Sequence, residues 1–309
     1  GDFGVFTIDV GSFIFEKFFD NYGPYDYVLN FSALKHVRSE KDPFTLMRMI
    51  EVNVLNVVKM LELSISKGVR KFFCVSTDKA TNPVNMMGAS KRIMELFLMK
   101  YSDKIDISTS RFANVAFSDG SLLDSFLKRV QKKQPIVIPN SVKRYFITPY
   151  ESAVLCIMSV VLGENLDIFF PKNIVPIDFR SIVERFLDYI GFEPYFCYNE
   201  EEARGSMVLV SQRKWPCLIS QTDTTGEKEV EEFVDINEEV DYDRFRDIAV
   251  TKISYRGQDL QQKLDYFMDS IEKVKSKKGW IKDDFVSIFQ NILPEFKHME
   301  KFKYLDEKM

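Results

Sequence analysis

The sequence predicts an α/β fold, a doubly wound parallel sheet with a smaller mixed C-terminal lobe. Three observations carry this reading. Short apolar runs bounded by turn residues recur through the first third of the chain. Between them lie stretches that repeat apolar residues at helical spacing. Strands separated by helices of this length are joined by right-handed parallel crossovers. In such sheets ligands sit at the carboxyl ends of the strands, so the segments just after Phe31, Thr77 and Phe112 are where chemistry is expected.

Taken in order, Val5–Asp9 is the first strand-like stretch, and Val10-Gly11-Ser12 after it is not a phosphate-cradling loop. Tyr27–Phe31 follows the turn Tyr22-Gly23-Pro24 and reads as a buried strand. Asp42 and Pro43 open a helix as N-cap and first residue. Leu46, Met49, Ile50, Val54, Val57, Val58, Leu61 and Ile65 extend it until Gly68 stops it. Lys71–Thr77 is the next strand, Ala89–Tyr101 a helix and Ile105–Phe112 a third strand. Beyond it, Ser121–Lys133, Glu151–Leu162 and Phe179–Ile190 read as helices and Asp167–Phe170 as a strand. Arg204–Glu232 mixes short strands and loops. The acidic stretch from Val230 to Asp247 reads as a solvated loop or helix face, because its acids lack a regular ligand spacing. Gln258–Lys275 and Asp284–Leu293 are amphipathic helices.

Composition narrows the function. The chain has 309 residues, with 42 Lys and Arg against 46 Asp and Glu, a net charge of −4. A general nucleic-acid binder carries a basic excess, so that class is set aside. The longest uncharged apolar stretch, Ser152–Gly163, is too short to span a bilayer. Cys74, Cys156, Cys197 and Cys217 form no CxxC pair, and only His36 and His298 could join them, so no metal site is expected. Buried thiols in a reducing cytoplasm are the expected state.

The densest polar cluster is Ser76-Thr77-Asp78-Lys79, at the carboxyl end of a predicted strand. A hydroxyl, a carboxylate and a partly desolvated amine side by side can move protons near neutral pH. The same residues also read as a capped turn with a surface ion pair. Lys91 lies on the first turns of the next helix and reads either as a crevice residue or as an exposed helical charge.

Four ordered motifs, Ala33-Leu34-Lys35-His36-Val37, Ser76-Thr77-Asp78-Lys79-Ala80, Asn85-Met86-Met87-Gly88-Ala89-Ser90-Lys91 and Arg111-Phe112-Ala113-Asn114-Val115, resemble the nucleotide-sugar 4,6-dehydratases of bacterial polysaccharide biosynthesis. These belong to the extended short-chain dehydrogenase/reductase superfamily and typically act on UDP-N-acetylglucosamine. The resemblance runs from about Asp9 to Lys172 and weakens to about Glu232. It implies a Rossmann-like domain over 1–115, with 144–172 packing back on it. A substrate lobe and C-terminal helices would take 116–143 and 173–309.

The superfamily carries a Thr or Ser, a Tyr, and a Lys four residues after the Tyr. Thr77 and Lys91 match, but Met87 stands at the Tyr position. One branch of the dehydratases carries Met there and assigns the proton work to an Asp-Lys pair, present here as Asp78 and Lys79. The resemblance implies NAD rather than NADP. It places Asp9, Val10, Phe31, Ser32, Ala33, Leu34, Asn53 and Lys91 around the cofactor, and Lys35, His36, Asn114, Ser121, Arg144 and Glu227 around a UDP-sugar. Asp119 replaces the Arg common before Ser121, and the surroundings of Gly226-Glu227-Lys228 diverge from the family pattern. No GxGxxG or GxxGxxG occurs. A chain without that turn is expected to be a shortened form with weakened dinucleotide binding. The alternatives are an epimerase or reductase on the same scaffold, or a non-catalytic binding module. A homo-oligomer is also implied, with the helices 43–67 and 89–101 as its expected face.

Overall fold

The computed structural model describes residues 3–220, 232–236, 238–255 and 257–298. In chain order the elements are α1 (Phe13–Tyr22), β1 (Tyr27–Asn30), α2 (Pro43–Ile50), α3 (Asn56–Ser66), β2 (Lys71–Thr77), α4 (Met86–Tyr101), β3 (Asp106–Phe112), β4 (Asn114–Val115) and α5 (Leu122–Gln131). There follow β5 (Ile136–Pro139), β6 (Lys143–Arg144), β7 (Phe146–Ile147), α6 (Pro149–Leu162), β8 (Asp167–Pro171), β9 (Ile177–Asp178), α7 (Phe179–Tyr189), β10 (Glu193–Cys197) and α8 (Glu200–Gly205). The last are β11 (Lys214–Ser220), β12 (Val240–Asp241), β13 (Ile248–Lys252), α9 (Leu260–Lys275) and α10 (Lys282–Ile292).

The chain divides into two compact units. Unit 1 comprises Gly1–Arg111, Leu155–Lys172 and Phe233–Lys297. It holds a six-stranded sheet of order β1-β2-β3-β8-β13-β12. β1 with β2 and β3 with β8 run parallel, while β13 joins β8 antiparallel. The fold is thus α/β with a mostly parallel central sheet. On one face the core gathers α2, α3 and α4 beneath α9 and α10. Phe97, Phe267 and Phe289 chain together there, with ring centroids 6.0 and 5.6 Å apart. Burying each such side chain contributes about 1.5–3 kcal/mol. The apolar stripes of 43–67 and 89–101 are accounted for by this core.

Unit 2 draws on Phe112–Val154 and the described part of Asn173–Glu232. Its sheet runs β10-β11-β5, all parallel, over α5 and α7. Two short ladders, β4 with β7 and β6 with β9, complete it.

Local chemistry explains most element bounds. Asp42 accepts hydrogen bonds from the N–H groups of Phe44 and Thr45 and starts α2 as expected. Gly68 ends α3 at φ +70°, a conformation that strains residues bearing Cβ. The single helix expected over 43–67 is interrupted by a π turn at Glu51–Leu55. Hydrophobic periodicity does not register one widened turn.

Three further expectations are corrected. Val5–Asp9 forms no strand, because no described strand lies beside it to complete a ladder. Residues 144–154 belong to unit 2, and Phe233–Lys297 to unit 1, because β13 adds to the main sheet and α9 and α10 cover α4. Glu238, read as part of a solvated acidic stretch, has a side chain only 4% exposed because it pairs with Arg111.

Candidate active site

Strand β2 is buried from Lys71 to Ser76 and delivers Thr77, Asp78 and Lys79 at its carboxyl end. Thr77 caps a short 3₁₀ turn, Asp78–Ala80. Its hydroxyl donates to Asp78 Oδ1 at 2.9 Å, and Lys79 Nζ donates to the same oxygen at 3.1 Å. Asp78 is 1% exposed and the Lys79 side chain 19%. Asp78 Oδ2 is buried and has no hydrogen-bond partner among the described residues. An acceptor held dry without a donor is costly, so a donor arriving there is favoured. The sequence therefore brings an amine, a carboxylate and a hydroxyl to one acceptor atom.

Helix α4 closes against this turn. Asn85 caps it by accepting from the Gly88 N–H at 2.8 Å, and Glu40 Oε2 accepts from the Met86 N–H at 2.7 Å. A Cβ at position 88 would stand 2.2 Å from the Lys79 carbonyl oxygen, so glycine is what permits the helix this close. Met87, 3% exposed, lies in the first turn of α4, and Lys91 follows one turn later on the same side of the helix. Lys91 Nζ donates to the Val75 carbonyl at 2.9 Å and lies 3.6 Å from Met94 Sδ. Burial pulls its pKa down, against the opposing pull of Cys74 and Glu95.

The turn after β1 carries Phe31, Ser32, Ala33 and Leu34. Asn53, turned inward by the π turn and fully buried, fixes it. Its amide accepts from the Leu34 N–H at 2.9 Å and donates to the Leu34 carbonyl and Ser90 Oγ, each at 3.0 Å. β1 is an edge strand, and an open groove of about 610 Å³ runs beside it, lined in part by Val10, Phe15, Leu29, Asn30, Phe31 and Ser32. Among the cofactor candidates, Val10, Phe31 and Ser32 therefore share one surface. Asp9 is exposed and engaged by the Gly11 N–H and by Arg48, each at 3.1 Å. Lys35 is exposed and His36 half-buried at the start of a short 3₁₀ turn.

These features suit one end of a dinucleotide. The groove has the size and apolar character of a small-molecule site. Its lining supplies no cation for a diphosphate, and the 309 residues contain no Gly-rich turn.

The remaining substrate candidates belong to unit 2. Asn114 lies on β4 and its amide donates to the Tyr145 carbonyl at 3.2 Å. Ser121 caps α5, and Arg144 is 8% exposed on β6. Glu227 lies outside the described residues.

Sequence reasoning missed a buried ionic cluster behind the turn. Arg111 donates to both oxygens of Glu95, from Nε at 2.8 Å and Nη2 at 2.7 Å, and also pairs with Glu238. Burial raises the Glu95 pKa, but Arg111, Arg92 and the Ser76 hydroxyl outweigh it and hold the carboxyl at about 2. The available signal was the placement of Glu95 four residues after Lys91, on the buried side of α4.

Comparison with known proteins gives the lineage. A family profile described as "Polysaccharide biosynthesis protein" matches residues 12–252. The chain is 30% identical over 184 residues to an uncharacterized membrane protein of Methanocaldococcus jannaschii, covering 57% of this chain and 54% of that one. It is 32% identical over 154 residues to a UDP-glucose 4-epimerase of Rickettsia canadensis, covering 48% and 45% respectively. The chain thus spans about half the length of these two curated relatives. Among solved structures, Pen from Bacillus thuringiensis matches with TM-score 0.64 at 18% identity, over 81% of this chain and 71% of that one. The dTDP-glucose 4,6-dehydratase DesIV from Streptomyces venezuelae, with NAD and TYD bound, matches with TM-score 0.54 at 16% identity, over 69% and 66%. At these identities the structural likenesses speak for the fold.

Proposed function

The chain belongs to the polysaccharide biosynthesis protein family, and from that membership we propose a nucleotide-sugar 4,6-dehydratase activity. The proposed substrate is UDP-N-acetylglucosamine and the proposed cofactor NAD. The observation that carries the reading is the turn Thr77-Asp78-Lys79, whose amine and hydroxyl meet on Asp78 Oδ1 while Oδ2 stays dry and unpartnered. A dehydratase needs a base for the sugar C5 proton and an acid for the departing C6 hydroxyl. With Met at position 87 there is no phenol to serve, and the turn supplies both groups.

In this reading NAD, when bound, supplies reversible hydride acceptance at the sugar. Asp9, Val10, Phe31, Ser32, Ala33 and Leu34, the last braced by Asn53, would hold it. Lys91 steadies the ribose next to the reacting ring. Thr77 hydrogen-bonds the C4 oxygen. The Lys79 amine removes the C5 proton, made acidic by the neighbouring 4-keto group. Asp78 protonates the C6 hydroxyl as it leaves. Lys35, His36, Asn114, Ser121, Arg144 and Glu227 are proposed for the UDP-sugar, with Arg suited to a diphosphate. A reducing cytoplasm suits the four free, buried cysteines.

The test is mass spectrometry of UDP-N-acetylglucosamine incubated with the protein and NAD. Loss of one water supports the reading. A product of unchanged mass that is inverted at C4 supports an epimerase instead, the activity named for the Rickettsia relative.

A further inference from the structure

Ser76 and Thr81 flank the turn that carries Asp78 and Lys79, and both lead to one guanidinium. On the strand side the Ser76 hydroxyl donates to Glu95 Oε1 at 2.7 Å, the oxygen that also accepts from Arg111 Nε at 2.8 Å. On the far side Thr81 Oγ1 donates to the Phe233 carbonyl at 3.1 Å, and Arg111 Nη1 donates to that same oxygen at 2.9 Å. Glu238 takes Nη1 and Nη2 of Arg111 at 2.7 and 3.0 Å. Its Oε2 also accepts from the Asp235 N–H at 3.1 Å, which fixes the loop presenting Phe233. Ser76, Thr81, Glu95 and Arg111 are each no more than 3% exposed.

We infer that Arg111 and Glu238 are positioning residues that clamp the Phe233 carbonyl onto the Thr77–Thr81 turn and thereby fix the Asp78-Lys79 pair. The inference rests on the dehydratase reading of that turn. A bidentate guanidinium is directional, so Arg111 sets where Glu95 and the Phe233 carbonyl lie, and these set both ends of the turn. At its middle the Lys79 carbonyl lies so close to Gly88 that a Cβ there would stand 2.2 Å from it. Proton transfer is sensitive to displacements of about 1 Å, so ends held this way govern rate more than binding. The acidic residue at 238 thus works on the reaction through the turn, although it lies far along the chain from it.

Thr81→Val removes one hydroxyl at nearly constant shape, and Thr81→Ser returns it. Glu238→Gln keeps the shape of the loop contact and removes its charge. Two readouts are taken on the full chain: backbone amide exchange at Lys79–Thr81, and turnover of UDP-N-acetylglucosamine with NAD. One net neutral hydrogen bond, as lost in Thr81→Val, corresponds to roughly a tenfold factor at most, and loss of the Glu238 charge from Arg111 to a larger one. The expected result is exchange faster by up to about tenfold for Thr81→Val and by more for Glu238→Gln, each with a matching fall in kcat and KM within about twofold. Thr81→Ser restores both. Unchanged exchange in Thr81→Val and Glu238→Gln overturns the clamp, whatever the activity. Faster exchange in a chain that yields no dehydrated product leaves the clamp standing and removes the functional reading instead.

Discussion

Glu95→Gln tests the ionic cluster most directly. Glu95 is fully buried, holds Arg111 through two hydrogen bonds, meets Arg92 Nη1 at 2.9 Å and accepts from Ser76. The substitution keeps the shape but leaves Arg111 with one carboxylate in place of two. Breaking a buried pair by removing one partner costs about 3–5 kcal/mol. Linkage gives an independent figure. The carboxyl sits at about 2 in the folded chain against the ordinary 4.5, and about 1.4 kcal/mol per pKa unit makes roughly 3 kcal/mol. A depressed carboxylate stabilises fully above the unfolded value, so this contribution is present above 4.5 and is lost as pH falls toward 2. The assay is urea unfolding followed by circular dichroism at pH 7 and at pH 3. The variant should lose about 3 kcal/mol at pH 7, and its stability should fall less than the wild type's between the two pH values. A loss under about 1 kcal/mol, or the same pH dependence in both proteins, would refute the assigned role of Glu95.

The remaining predictions address the site. Lys79→Ala should lower dehydration about 10²–10⁴-fold while nucleotide-sugar affinity, read by calorimetry, stays close to wild type; retained turnover removes Lys79 from the mechanism. Lys91→Met should raise stability by about 1 kcal/mol, because a buried ammonium is replaced by an apolar side chain beside Met94, and should weaken NAD binding. The unfolded chain holds the Lys91 proton more tightly than the folded one, so wild-type stability from this group rises with pH toward 10.5, and the variant should lack that rise. Asn53→Ala leaves the Leu34 N–H without its side-chain acceptor and should cost about 1–3 kcal/mol in urea unfolding. Gly88→Ala should slow turnover and lower the urea midpoint, since its methyl would meet the Lys79 carbonyl at 2.2 Å; unchanged kinetics and midpoint would overturn the close packing assigned to this glycine.

What the sequence reveals follows from how local the cause is. Asp42-Pro43, Gly68 and the run Lys71–Thr77 are governed by neighbours, and helix, stop and strand fall where they were expected. The helix expected over Ala89–Tyr101 begins at Met86, because the Asn85 side chain caps it one turn earlier. β13 was invisible because an antiparallel strand appended at a sheet edge depends on β8, distant in sequence, and five residues give too little alternation to declare it. The same holds for Asn53, whose inward turn depends on one extra residue in a helical turn.

Within the site, residue type was legible and pairing was not. A carboxylate and an amine at adjacent positions are visible in the letters, but their meeting on a single oxygen depends on the 3₁₀ turn that Thr77 caps. Lys91 shows the other side of the same rule. The motif assigns it to a ribose, while the fold gives its ammonium a backbone carbonyl at 2.9 Å and a thioether as neighbours. A buried lysine has three protons to place, and one carbonyl takes one of them. In the proposed site, a sugar hydroxyl donating to Asp78 Oδ2 would satisfy a buried acceptor that has no partner among the described residues.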